Sequence, residues 1–325
     1  MSRTKGHKEV KDGKHVKKKS RLLRLLAVGV VGLLLAVFTW GNANAAQDTA
    51  SRRNQRTDTV GEQSKQVVLG FYTEVLRKRQ LERAGDYMRE DYIQHSPGLK
   101  QGLSGYLEDY KLFHSIFPDL TATIHTVVPQ GDKVMLLATF TGHHVQTGKE
   151  LVFETAELYR VQDGKIAEHW DAVDYSAMQA FGVDLPGGDQ PATPVSWEGT
   201  PQQRLNTVAL LWTVNTFYRN PQVPFPGAIA PDLIEHQRGV APGLKGLQDN
   251  LRSYRERFPD LSFEIKHTVA DNKQAVVFWV WHGHEKGTGK ELRLNRADVF
   301  RVQDGRFVEH WSRLDYRAVN PFGLK

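Results

Sequence analysis

Apolar residues recur at helical spacing in Val67, Val68, Phe71, Tyr72, Val75 and Leu76, and again in Leu103, Tyr106, Leu107, Tyr110 and Phe113. Each stretch predicts a helix with one face turned inward. After Phe117-Pro118-Asp119 the period drops to two, and Asp163-Gly164 and Asp304-Gly305 stand as hairpin turns between long alternating runs. Helices followed by such a meander predict an α+β domain with helices against one face of a curved, mainly antiparallel sheet.

The pattern occurs twice. From His95 to Tyr175 every residue pairs, without a gap, with the one 141 positions later: Phe117-Pro118-Asp119-Leu120 with Phe258-Pro259-Asp260-Leu261, Thr147-Gly148-Lys149-Glu150 with Thr288-Gly289-Lys290-Glu291, and Glu168-His169-Trp170 with Glu309-His310-Trp311. A repeat of this length is a duplicated domain rather than a solenoid unit. Leu185 to Pro201 is dense in Pro and Gly and reads as a linker; Gln47 to Thr59 is polar and aperiodic and reads as a tether. The expected organisation is therefore 1–45 signal, 46–60 tether, 61–184 first domain, 185–200 linker and 201–325 second domain.

The signal rests on where the charge lies. The chain of 325 residues has a formal net charge of +6, but residues 1–24 hold ten Lys and Arg against Glu9 and Asp12, a net of +8, so the remainder carries about −2. That distribution removes the footprint of a nucleic-acid binder. The basic stretch precedes Leu25–Phe38, fourteen uncharged and mainly apolar residues, and then Ala43-Asn44-Ala45, the layout of a secretory signal. Fourteen helical residues span about 21 Å, short of the roughly 30 Å hydrocarbon core, which favours cleavage after Ala45 over an uncleaved anchor. The expected location is periplasmic or secreted, with membrane contact only if the signal is retained. The absence of cysteine excludes disulfides, thiolate metal sites and a cysteine nucleophile.

The candidate chemistry follows from strand alternation. Between Leu151 and Arg160 one face carries Leu151, Phe153, Thr155, Glu157 and Tyr159; in the second copy it carries Leu292, Leu294, Arg296, Asp298 and Phe300. Glu157 and Asp298 thus point into an apolar interior. Burial disfavours the charged form of a carboxylate, and a carboxylate so tuned can serve as a general base near neutrality; the alternative is a structural carboxylate paired with a buried partner such as Arg296. His143 and His284 close the strand before the Thr-Gly-Lys hairpin, and His95 and His236 precede the long helix. Trp170 and Trp311 read as pocket wall or core. The Thr288-Gly289-Lys290 run lacks the spaced glycine and the Ser or Thr of a phosphate loop. His143-His144 and His282-x-His284 have no further ligand at local spacing, which argues against a metal. No Gly-x-Ser-x-Gly elbow is present, and no cofactor is indicated.

Tyr92-Ile93-Gln94-His95, Phe117-Pro118-Asp119-Leu120, Gly142-His143, Arg160-Val161-Gln162-Asp163-Gly164 and Glu168-His169-Trp170 resemble the SnoaL-like polyketide (ester) cyclases of the nuclear-transport-factor-2-like superfamily. The resemblance covers both repeats. It implies a cone-shaped α+β barrel, often dimeric, that closes a ring by intramolecular aldol condensation without metal or cofactor. It places the acid/base aspartate on Asp298, with Glu157 in the first copy, the strand-end histidine on His284 and His143, and the early histidine on His236 and His95. Glu157 is one methylene longer than aspartate, a shift of about an ångström that can misplace a base, and Glu235 stands where the first copy has Gln94.

The function expected from these residues is acid/base chemistry on a small carbonyl compound (aldol-type cyclisation, isomerisation or hydrolysis), centred on Asp298 and His284 in the second copy. A non-catalytic binding module for a small apolar ligand and a pseudo-dimeric interaction scaffold are the alternatives. The expected partner is a small hydrophobic or carbonyl-containing ligand and not nucleic acid, with the two copies paired within the chain or the chain self-associating. Cleavage of the signal leaves Ala46 as the first residue of the exported chain, readable by N-terminal sequencing; export with residues 1–45 still attached contradicts it.

Overall fold

The computed structural model describes residues 59–186, 189–222 and 228–324. The signal at 1–45 and the tether up to residue 58 lie outside the described residues, and among those described no helix is long and apolar enough to cross a membrane. Residues 59 and 60, assigned to the tether from sequence, already form the start of the first helix.

Each copy is a five-stranded mixed sheet with helices against one face. The first contains β1 (Met88–Gln94), β2 (Thr121–Gln130), β3 (Lys133–His143), β4 (Glu150–Gln162) and β5 (Lys165–Val173); the second contains β6 (Ile229–Glu235), β7 (Ser262–Ala270), β8 (Gln274–His284), β9 (Glu291–Gln303) and β10 (Arg306–Leu314). The strand orders are β1-β5-β4-β3-β2 and β6-β10-β9-β8-β7. The meander pairs antiparallel, β1 and β6 add in parallel, and neither sheet closes on itself. The second copy's first helix, Pro201–Thr213, starts at a capping box: Thr200 Oγ1 accepts from Gln203 N (3.1 Å) while Gln203 Oε1 accepts from Thr200 N (2.6 Å). Pro201, a chain breaker in the sequence pattern, is thus the helix's first residue, where its missing N–H is of no consequence.

β3 and β8 are almost continuously apolar from Val134 to Ala138 and from Ala275 to Trp281, which requires cover on both faces. On one face the helices supply it: Val68, Phe71, Tyr72 and Val75 pack with Val134, Leu136 and Ala138. On the other face the partner is the second sheet. Met135, Leu137, Leu158 and Trp170 share one buried cluster with Val269, Val276, Phe278 and Val299. The linker is also docked, since Thr193 accepts from Lys133 Nζ (2.7 Å) and bonds His267 Nδ1 (2.9 Å).

Because the copies share a core, they are expected to unfold together. Leu158→Ala, at a fully buried position in that core, should cost about 2–5 kcal/mol and lower a single calorimetric transition. Two transitions, one of them unmoved, contradict the shared core.

Candidate functional site

The first copy holds a cavity of about 170 Å³ between its sheet and its helices. Ala122 on β2, Phe140 on β3, Phe153 and Tyr159 on β4 and Phe71 and Tyr72 on the first helix form an apolar, aromatic wall. The lining runs from half-exposed Asp109 and His114 on the helix Gly102–Ile116 to buried Glu157, His169 and Asp171. Phe71 and Tyr72 lie in a π-helical stretch, Phe71–Arg77, a form of local winding that often serves functional sites.

Strand register assembles the polar group. Glu157 faces Asp171 across the β4–β5 ladder, and Tyr159 faces His169, so all four turn to the cavity side. Glu157 is 5% exposed, and its Oε2 makes a short hydrogen bond with His169 Nε2. The other ring nitrogen lies 3.0 Å from Gln94 Oε1, which also accepts from Ser96 N. An amide oxygen can only accept, so His169 Nδ1 carries a proton and Nε2 is the atom that shares one with Glu157. Burial opposes the imidazolium, but the charge and hydrogen bond of Glu157, with the charge of Asp171, outweigh it and raise the His169 pKa. Asp171 accepts from Ser96 Oγ (2.5 Å) and, from the linker, Gln190 Nε2 (3.1 Å). Burial pushes its carboxyl up; the charge of His169 opposes and that of Glu157 adds to the rise. Glu157, His169 and Asp171 offer ligand atoms within 4.8 Å of one another and could hold a metal ion, but only if His169 Nε2 gives up the proton it shares with Glu157.

The second copy fills the same space. Trp279 replaces Ala138, Phe263 replaces Ala122 and Arg296 replaces Thr155; Trp279, Trp281 and Arg296 are fully buried. Asp298 is 0% exposed and saturated: Arg296 Nε lies 2.8 Å and 3.0 Å from its two oxygens, and Trp279 Nε1 and His310 Nε2 are each 2.8 Å away. Burial alone would raise the Asp298 pKa, but the Arg296 and His310 charges and hydrogen bonds hold it well below the ordinary carboxylate range. His310 lies between Asp298 and Glu235, whose Oε2 is 2.7 Å from Nδ1. Against the opposing effect of burial, the two carboxylates raise its pKa to about 9.

The expectation that Asp298 and His284 carry the chemistry is corrected by this geometry: an enclosed carboxylate whose oxygens are engaged by Arg296, Trp279 and His310 has neither the free lone pair nor the access of a general base. His284 and His143 are brought to no carboxylate of the interior. They stand at the ends of β8 and β3, their side chains 63% and 57% exposed, each held 2.7 Å from the aspartate of the Phe-Pro-Asp-Leu motif, Asp260 or Asp119. The same aspartate accepts the histidine's own backbone N–H, so the motif braces a strand end. The preceding Gly142 fits because a Cβ there would lie 3.0 Å from Leu120 Cα.

His95, His236, Trp170 and Trp311 likewise do not line the cavity of the first copy. Alternation places Trp170 on the sheet face opposite His169, in or against the core shared by the two copies, and the same holds for Trp311. The rings of His95 and Trp170 stack at 4.4 Å, and those of His236 and Trp311 at 4.8 Å. The residues missed are His169 in its pairing role and Asp171. Their signal was available: on β5, Ala167, His169, Asp171 and Val173 alternate with Glu168, Trp170 and Ala172.

The fold and site define a class. The family described as SnoaL-like polyketide cyclase matches residues 66–180 and 207–320, and the chain belongs to that family, as two tandem copies. Among solved structures, it is similar to wild-type IdmH, a putative polyketide cyclase from Streptomyces antibioticus, at 28% identity over 37% of this chain and 99% of that one, TM-score 0.34. It is also similar to a putative polyketide cyclase from Bacillus cereus (26% identity, 36% and 78% covered, TM-score 0.33) and a putative SnoaL-like polyketide cyclase from Jannaschia (20%, 37% and 92%, TM-score 0.35). No curated protein matches the chain.

The raised pKa of His310 has a sign. Its stabilising contribution is complete below the unfolded value near 6.5, declines as pH rises and is lost above about 9. The melting temperature should therefore fall between pH 7 and pH 10, and His310→Gln should flatten that slope. An unchanged slope contradicts the assignment.

Proposed function

We propose that the first copy is the working site and that it performs general acid/base chemistry on a small carbonyl compound. The observation that supports this is the Glu157–His169 pair at the buried end of an aromatic cavity. Glu157 takes the α-proton of the bound carbon acid, with His169 stabilising its charge and Gln94 setting the ring's tautomer. The donor toward the carbonyl oxygen is the Tyr72–Tyr159 pair, whose hydroxyls lie 3.1 Å apart. Only one of the two protons is used between them, and burial holds both phenols well above their ordinary pKa, so a neutral O–H remains to meet developing enolate charge. Aldol-type cyclisation, isomerisation and hydrolysis can all begin from such an enolate or its activated carbonyl. The second copy serves as a structural partner, its interior closed by Arg296 and its sheet completing the core of the first. Export by the segment 1–45 places this chemistry outside the cytoplasm.

The direct test is exchange of α-protons for deuterium in a 1,3-diketone, followed by NMR. The intact protein should accelerate exchange, Glu157→Gln should reduce the acceleration by about 10²–10⁴, and His284→Ala should leave it unchanged. Exchange that survives Glu157→Gln contradicts Glu157 as the base. Saturable diketone binding without exchange in either protein favours a non-catalytic binding module instead.

A further inference from the structure

The two copies differ in how they neutralise their buried carboxylates. In the second, Asp298 and Glu235 face Arg296 and His310, two negative and two positive groups in one hydrogen-bonded network. In the first, Gln94 replaces Glu235, Thr155 replaces Arg296 and Asp171 replaces Ser312. Glu157 then pairs with His169, Asp171 with the neutral donors Ser96 and Gln190, and among the described residues that line the cavity there is no Lys or Arg. Two buried carboxylates beside one imidazole, where the second copy adds a guanidinium, leave a position that a bound cation would complete.

Three further features surround the place of the missing cation. Thr155, 1% exposed and lining the cavity, has an Oγ1 with no hydrogen-bond partner, a cost that a bound donor would relieve. In the second copy the Arg296 guanidinium, while bonded to Asp298, lies 4.5 Å over the ring of Trp281; the first copy keeps an aromatic residue there, Phe140, and it too lines the cavity. Finally, the space that Trp279, Phe263 and Arg296 occupy is opened by Ala138, Ala122 and Thr155.

We propose that the cavity of the first copy binds a small organic cation, an ammonium or amidinium group on an aromatic body, seated beside Glu157 and Asp171 where the second copy holds the Arg296 guanidinium. The carboxylates take the charged head by charge-assisted hydrogen bonds, Thr155 accepts a further N–H, and the Phe140 face supplies a cation–π contact. A bare metal ion fits less well, because the wall is aromatic and His169 Nε2 is already engaged with Glu157. The proposal does not depend on proton transfer, since a cation can bind with no turnover.

Benzamidine and benzamide, near-isosteres that differ in charge, provide the test by calorimetric titration of the full chain. Benzamidine should bind at least tenfold more tightly than benzamide. Asp171→Asn should remove that preference, and Thr155→Arg, which supplies the missing guanidinium in place, should abolish benzamidine binding. Circular dichroism checks that each variant is folded, and if Thr155→Arg does not fold, Asp171→Asn decides. Equal affinity for the two probes, no saturable benzamidine binding at millimolar concentration, or a preference unchanged in Asp171→Asn overturns the proposal.

Discussion

A carboxylate turned into the interior of a domain must be given a partner, and the partner chosen for the β4 and β9 carboxylates organises everything else in the two copies. On β9 the partner is Arg296, two residues away on the same strand face, and its guanidinium fills the interior while pairing with Asp298. On β4 the corresponding residue is Thr155, too short to reach or to fill, and Glu157 pairs with His169 across the ladder. One residue type at one register position thus separates an enclosed ion-pair network from an open cavity.

The sizes of the surrounding side chains follow that choice. Arg296 lies beside Trp279 and under the ring of Trp281, and Phe263 packs on both tryptophans, whereas Thr155 is accompanied by Ala138 and Ala122. Burying an arginine–aspartate pair is tolerable only when its remaining hydrogen bonds are met; Gln237, Trp279 and His310 meet most of them. The duplicated fold therefore has room for two roles. The shared core of Met135, Leu137, Leu158 and Trp170 with Val269, Val276, Phe278 and Val299 covers the outer faces of both sheets, so the closed copy supports the open one without contributing a pocket residue to it.

Much of this was legible in the chain. The ungapped register of 141 announced the duplication, helical and strand periods announced the α+β order, and alternation from Leu151 to Arg160 placed Glu157 and Asp298 inside. The limits were those of phase and size. Applied to β5, the same alternation sets His169 and Asp171 on one face and Trp170 on the other, but which face is inward depends on pairing with β4, a long-range fact. Size and apolarity let the tryptophans read as pocket wall or core, and the second sheet decides between them, with Trp170 buried in the shared core and Trp311 packed against it. His143 and His284 recur in both copies because they brace a strand end through Asp119 and Asp260. A polar cluster built across neighbouring strands also escapes any search for ligands at local spacing. Alternation sets Asp298 inside, with Arg296 on the same face as a partner for it, but it carries no information on whether that partner closes the site.

Space exists between sheet and helices in the first copy and is filled in the second. Xenon enters dry apolar cavities without needing a specific contact, so a crystal of the full chain pressurised with xenon distinguishes the two interiors. Anomalous density is expected between Phe140, Phe153 and Tyr159 in the first copy and none around Trp279 and Arg296 in the second. Equal xenon occupancy in the two copies, or density in the second alone, would contradict it.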